Sequence, residues 1–251
     1  MGQNVIIIMA GGLGKRMNSD LPKVLHFLSG KPLLLKVVHK AMLLDPLKIF
    51  IVVGKYKNII EETLREYISL DNIEFIIQPE ALGTGHAIQC CRDELLKYTD
   101  TNVVILSGDT PLLKAATIKD FLLDFHKVKI ITTQMKTPYG YGRIIEKDGV
   151  FDKIVEEKDC SLEEKMVNKV NCGVYAFDSH ILCKYLPLLT NKNAQSEYYL
   201  TDIIELIKVG ENIQVDLYDI GEDRQIQIMG VNTMEQLQDL ERQLKDVAIQ
   251  Q

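Results

Sequence analysis

The chain has 251 residues, 46% of them hydrophobic, and a formal net charge of −6, enough to bury a sizeable core in one large domain or one domain with an inserted lobe. An acidic balance argues against nucleic acid or an anionic membrane as the partner, and the longest apolar runs fall far short of the roughly 20 residues that span a bilayer. Five cysteines without a CxxC pair suggest neither a disulfide framework nor a zinc site, so a cytoplasmic protein with reduced thiols is expected.

In chain order, "NVIIIMA", "KIFIVVG", "IEFIIQ" and "NVVILSGD" are short β-branched runs ended by Gly or polar residues, as buried parallel strands should be. Helical stretches separate them: "PLLLKVVHKAMLL", "KNIIEETLREYI" and "TGHAIQCCRDELLKY", with "TIKDFLLDFH" after the fourth strand. Repeated βα units predict a doubly wound, mostly parallel sheet between helical layers. Beyond residue 129 the rhythm changes. "KIITTQM", "YGRIIEK", "FDKIVEEK" and "NKVNCGVYAF" read as strands joined by short turns, a mixed α+β lobe over the sheet edge. "EYYLTDIIELIKVG" reads as a helix capped by Gly210, and "NIQVDLYD" and "IQIMGV" as strands. The last stretch places Leu237, Leu240, Leu244 and Val247 on one stripe of a packed or weakly dimerising helix. The expected division is one domain, 1–251, with a first half to about 128 and a second, closing half from about 129.

Charge singles out the first strand's loop. Residues 1–40 carry Lys15, Arg16, Lys23, Lys31, Lys36 and Lys40 against Asp20 alone, a net +5 that leaves −11 for the rest. In "MAGGLGKRMNSDLPKVLH", glycines let backbone N–H groups approach an anion while Lys and Arg neutralise it, which suits a polyphosphate. Gly-Gly-Leu-Gly-Lys-Arg is not GxGxxG, and the second strand ends Val53-Gly54-Lys55 without an acidic residue, so a dinucleotide site is disfavoured. Gly14-Lys15 is followed by Arg16 rather than Ser or Thr, so a P-loop fails as well.

The pattern Gly12-Leu13-Gly14-Lys15-Arg16-Met17 followed by Pro22-Lys23 resembles the sugar-nucleotide pyrophosphorylases, a family of nucleotidyltransferases. Within it the chain is most similar to the uridylyltransferase half of the bacterial bifunctional enzymes that make UDP-N-acetylglucosamine. "SDLPKVLH", "LGTGHA", "GDTPLL", "YGRI", "IVEEKD", "NCG", "EYYLTDII" and "GVN" occur in the family's order over nearly the whole chain. The resemblance implies a three-layer α/β/α, Rossmann-like nucleotidyltransferase fold. It also implies Mg²⁺-dependent transfer of uridylyl from UTP to N-acetylglucosamine 1-phosphate, with pyrophosphate leaving. The acetyltransferase part of the bifunctional enzymes has no counterpart in this sequence, so only uridylyl transfer is implied. The chain departs from the family's pattern at Ala10-Gly11-Gly12, at Lys15, at Ser107 where an aromatic is usual, and at Cys172 in place of Thr.

The resemblance carries roles onto matching residues. Arg16 and Lys23 would be catalytic cations, holding the departing β and γ phosphates and the α or attacking phosphate respectively. Met9, Ala10, Gly11, Gly12, Gly14, Gln78, Gly83 and Thr84 would bind the nucleotide. On its own chemistry the Gln78 amide suits the edge of uracil, and is otherwise a solvated loop residue. Gly142, Glu156 and Asn171 would bind the sugar. Asp109, at the carboxyl edge of the sheet, can hold a hard cation or cap the next helix; Asn232 would be a second Mg²⁺ ligand or a helix cap. His86 reads as structural, and Lys15, Arg143 and Thr201 are of interest without an assigned role. A glucose-1-phosphate uridylyltransferase, another sugar-1-phosphate nucleotidylyltransferase and a catalytically silent sugar-nucleotide-binding subunit are the alternatives. The partners expected are the two small-molecule substrates, with the chain a monomer or weak homo-oligomer.

Overall fold

The computed structural model describes residues 2–12, 14–17 and 19–249; Leu13 and the side chains of Lys15 and Val247 lie outside the described residues. Strands β1 (Asn4–Met9), β4 (Lys48–Val53), β5 (Ile73–Ile77) and β6 (Asn102–Ser107) pair in parallel, in the spatial order β6-β1-β4-β5. Helices α1 (Leu33–Met42), α2 (Lys57–Arg65), α3 (Thr84–Gln89) and the short α4 (Arg92–Leu95) intervene, and a small hairpin of β2 (Phe27–Leu28) and β3 (Lys31–Pro32) precedes α1. After α5 (Ala115–Phe121), strand β7 (Val128–Gln134) joins the sheet, with β10 (Lys169–Asp178) between it and β6 and antiparallel to both. β11 (Asp216–Asp219) closes that end parallel to β7, and β8 (Arg143–Lys147) with β9 (Val150–Val155) forms a hairpin that leaves the sheet from β10.

The predicted layers follow from strand alternation, which sends successive side chains to opposite faces. Val5, Ile7, Phe50, Val52, Val103 and Ile105 pack on one side with Ile88 of α3 and with residues of α6 (Ser179–Tyr185) and α7 (Asp202–Glu211). Ile6, Ile8, Ile49, Ile51, Val104 and Leu106 pack on the other with residues of α1, α2 and α5. Helix α8 (Met234–Ile249) lays Leu237 and Leu240, with Leu244 alongside, on Met17, Leu28 and Leu33, so its apolar stripe is a packing face beside the glycine-rich loop. Among the described residues no helix is long and apolar enough to cross a membrane.

Several expectations need correction. The second half is not a lobe over the sheet edge: β10 is buried along most of its length and enters the sheet interior, leaving only the β8–β9 hairpin outside the main order. "IQIMGV" is not a strand. A 3-10 helix, Glu222–Ile228, turns Gln227 and Ile228 inward together, and Gln227 Oε1 accepts from Lys114 N and Thr117 Oγ1 (3.1 and 2.8 Å) at the start of α5. Strand alternation would have separated those two side chains. The stretch "TGHAIQCCRDELLKY" splits into α3 and α4, and "TIKDFLLDFH" is helical only to Phe121. Helix α7 starts only at Asp202 and runs to Glu211, and Asn212, with φ +50°, supplies the left-handed cap expected at Gly210.

Gly210 has a different task. A Cβ there would fall 2.1 Å from the Tyr185 hydroxyl oxygen, which is bonded to Glu211 Oε1 at 3.0 Å on a rigid, buried ring. Ala replacing Gly inside a helix ordinarily adds about 1 kcal/mol of stability. Here Gly210→Ala should lower the melting temperature by several degrees, read by circular dichroism; a stabilised variant would show that the Tyr185 ring yields without cost.

Candidate active site

Because β1, β4 and β6 run parallel, their carboxyl ends meet along one edge, where open α/β sheets bind ligands. Gly108 N–H donates to Met9 O (2.9 Å) and Ala10 N–H to Val52 O (2.8 Å), so the first loop leaves the sheet tied to both neighbours. Gly11 lies close to the Gln78 amide: a Cβ there would fall 2.9 Å from Gln78 Oε1, so a larger residue would displace that side chain. At Gly14 (φ +61°) the crowding atom is Lys23 Cβ, which would lie 2.8 Å from any Cβ at that position, so this glycine makes room for the lysine.

Two cavities of about 310 and 350 Å³ open along the edge and share Ser107 and Asp109 as a common wall. The first is lined by Met9, Ala10, Gly11, Gly12, Gln78, Gly83 and Thr84, together with Lys23. The second is lined by Gly142, Glu156 and Asn171, together with Arg16 and Asn232. The two groups that the sequence assigns to nucleotide and sugar thus lie in separate, adjoining chambers. Gly14 is not among the lining residues of either, and Arg16 stands in the second chamber rather than with the glycine-rich loop.

At the shared wall the Lys23 ammonium ion-pairs with Asp109 Oδ2 and donates to Asn232 Oδ1 (2.9 Å). Ser107 Oγ donates to the other carboxylate oxygen, Asp109 Oδ1, at 2.7 Å. Neither Asp109 nor Asn232 is a helix cap. Helix α5 starts six residues after Asp109, behind Lys114. Helix α8 is capped reciprocally by Thr233 and Gln236, with Gln236 N–H on Thr233 Oγ1 (3.2 Å) and Gln236 Oε1 accepting from the N–H groups of Thr233 and Asn232 (3.2 and 2.7 Å). That leaves the Asn232 side chain free to face Lys23. Two hard oxygens are thereby aimed at one cation, a donor pair that fits a divalent metal whose other ligands are water and phosphate. Among the described residues no group of three or more His, Cys, Asp and Glu is placed to hold a metal.

In the first chamber Gln78 Nε2 donates to Gly83 O (3.0 Å). A carbonyl can only accept, so the amide's orientation is set and its oxygen is left toward Gly11. His86 Nδ1 lies 3.0 Å from Glu80 O, bracing that loop as a structural residue. In the second chamber Thr201 Oγ1 donates to Glu156 Oε1 (2.9 Å), and desolvation holds the Glu156 carboxyl above its ordinary pKa. Burial, helped by the Glu156 charge, also pushes Asp202 up to about 6. Arg143 is buried behind the chamber, where it pairs with Glu157 (2.8 Å) and donates to Tyr141 O; Glu157 also accepts from Gly140 N–H (3.2 Å), anchoring the wall that contains Gly142.

Sequence reading treated Ser107 only as a departure from a pattern. Ser107 ends β6 and Asp109 stands in the turn just beyond it, so the contact between them depends on the turn's geometry and no strand alternation announces it.

A model of the family described as "Nucleotidyl transferase" matches residues 5–224. A probable UDP-N-acetylglucosamine pyrophosphorylase of Acanthamoeba polyphaga mimivirus is 38% identical over 241 residues, covering 94% of each chain. The bifunctional protein GlmU of Clostridium botulinum is 41% identical over 95% of this chain, which spans about half (51%) of that relative's length. A solved structure of UDP-glucose pyrophosphorylase with UDP-glucose superposes with a TM-score of 0.75 over 98% of this chain and 99% of that one at 17% identity, a likeness of fold. With the family model spanning most of the chain and relatives near 40% identical along almost all of it, the chain belongs to the nucleotidyl transferase family.

Proposed function

We propose that the chain transfers a uridylyl group from UTP to N-acetylglucosamine 1-phosphate, giving UDP-N-acetylglucosamine and pyrophosphate. The observation that carries the reading is the meeting of two chambers at Asp109, with Lys23 and Asn232 converging there. A transfer between two phosphates needs two ligands side by side and positive charge between them. The mimivirus relative's name favours the acetamido sugar over the alternatives. On this reading residues 1–251 act as one cytoplasmic nucleotidyltransferase domain, monomeric or weakly self-associating.

The roles follow from chemistry. Backbone N–H groups of Gly11 and Gly12 face the triphosphate, and Gln78, with its amide orientation held by Gly83, reads the edge of uracil. Glu156 accepts from sugar hydroxyls and Asn171 pairs with the acetamido group. Lys23 neutralises the phosphates at the junction; Arg16, to which the resemblance gives the departing β and γ phosphates, opens into the second chamber and on this reading holds phosphate from the sugar side. Asp109 and Asn232 would hold Mg²⁺, which supplies charge neutralisation at the phosphate oxygens when bound. Lys23 sits on those same two oxygens in the free protein, so its ammonium must leave them to reach phosphate.

Pyrophosphate release from a panel of sugar 1-phosphates crossed with four nucleoside triphosphates tests the reaction. UTP with N-acetylglucosamine 1-phosphate should give the highest kcat/KM, ahead of glucose 1-phosphate by roughly tenfold to a hundredfold, the discrimination available when buried polar groups lose partners. A higher value with glucose 1-phosphate would overturn the sugar assignment, and silence with every pair would favour a non-catalytic binding subunit.

Asp109→Asn should lower turnover on the order of a hundredfold to a thousandfold and, because it leaves the Lys23 ammonium without its counter-charge, lower the melting temperature as well; full activity at low Mg²⁺ would remove Asp109 from the site. Lys23→Ala should lower kcat/KM by about a hundredfold. The same variant, titrated with Mn²⁺ without substrates, should bind the metal more tightly than the parent because a competing cation is gone. Weaker Mn²⁺ binding would show that Lys23 does not compete for those oxygens.

A further inference from the structure

Both ends of the Asn171 amide are held. Its Oδ1 accepts from Gly173 N–H at 3.1 Å, and since a backbone N–H can only donate, that end of the amide is the oxygen. The other end, Nδ2, donates to the Tyr175 hydroxyl at 2.7 Å. In a regular strand residues four apart lie about 13 Å from each other, too far for this contact. It exists because β10 is irregular. Asn171 pairs with Thr132 and Tyr175 with Ile130, so four steps of β10 run against two of β7, with Gly173 at φ +72° inside the irregularity. The excess chain folds Asn171 back over the tyrosine.

Tyr175 is itself immobilised. It is 4% exposed, and its ring stacks on Phe177 at 6.1 Å between centroids and 28° between planes. Burial, reinforced by the negative charge of Glu156, raises the phenol's pKa, so the hydroxyl stays neutral at any working pH. Asn171 lines the second chamber, whereas Tyr175 is not among its lining residues.

We infer that Tyr175 is the positioning residue of the sugar chamber: its hydroxyl fixes the rotation of the Asn171 amide, so that the ligand meets one free N–H and one free oxygen lone pair side by side. An acetamido group offers the matching acceptor and donor. Without the hydroxyl, the amide nitrogen loses a buried partner and the group can rotate, which weakens binding of the sugar before and during reaction alike. The inference rests on the second chamber being the sugar site.

Tyr175→Phe keeps the ring, its stack on Phe177 and so the fold. It should raise KM for N-acetylglucosamine 1-phosphate roughly tenfold, leave kcat and KM for UTP within about twofold, and shrink the preference over glucose 1-phosphate. In an Asn171→Ala background the same change should add almost nothing, because its route to the ligand is gone. A purely structural role would instead lower the melting temperature and spread across both substrates. An unchanged sugar KM, or effects of the two substitutions that simply add, would overturn the inference while leaving the reaction intact. A parent protein that turns over no sugar 1-phosphate removes the functional reading and this inference with it.

Discussion

The Lys23 ammonium between Asp109 and Asn232 joins stretches of chain 86 and 209 positions apart, and much of the site's shape follows from it. Lys23 comes from the loop after β1, Asp109 from the end of β6, and Asn232 from the approach to α8. Lys23 and Asp109 side chains are each 14% exposed, so the pair is largely withdrawn from water, where an unpaired charge is costly. Val231 N–H donates to Asp109 O (3.0 Å), which adds a backbone tie between the last helix and the strand edge. The cation therefore holds the junction together, on the wall that both chambers share.

This junction can exist only because the sheet brings β1 and β6 side by side with their carboxyl ends level. Both faces of those strands are covered, by different helices, so a shift of register would move every Ile and Val into the wrong core. The edge inherits that rigidity. Loops that must accommodate ligands then need only local devices, such as the stitching of Leu82–Gly85 to Tyr198–Leu200. There Gly85 N–H donates to Tyr198 O (2.7 Å), Tyr198 N–H to Leu82 O (2.8 Å), and Leu200 N–H to Thr84 Oγ1 (3.1 Å). Gly83 is needed at that seam, with φ +110° and a would-be Cβ only 2.5 Å from Tyr198 O. The first chamber is thus tied to the segment that delivers Thr201 to Glu156, giving the two chambers a shared frame.

Local pattern was enough for some of this. Buried β-branched runs ended by Gly or polar residues announce parallel strands, so the sheet edge that carries Met9 through Gly12, Gln78 and Asp109 was legible from spacing, whereas the roles expected of those residues came from the family resemblance. The cation surplus of residues 1–40 likewise pointed to an anionic ligand, because charge is a property of composition. Which residue met which was not legible. Asn232 and Asp109 each had a capping alternative in sequence, and it was decided by Thr233 and Gln236 taking the cap of α8 and by Lys23 reaching both oxygens.

Other features depended wholly on tertiary packing. β10 lies within the sheet because its apolar run is covered on both faces; the sequence of such a run does not say whether it belongs to a lobe or an interior strand. Position 210, inside α7, needs a glycine because a tyrosine from another helix occupies the space of a side chain, and the left-handed cap falls on Asn212. The contact of Asn171 with Tyr175 arises from an irregular register, and register depends on the partner strand. Sequence by itself determined the succession of parallel strands, where their ends fall and where the cations concentrate, because periodicity and charge are local. Only the tertiary structure decided their partners, since hydrogen bonds and ion pairs between residues up to 209 positions apart form only when the sheet has set the distance.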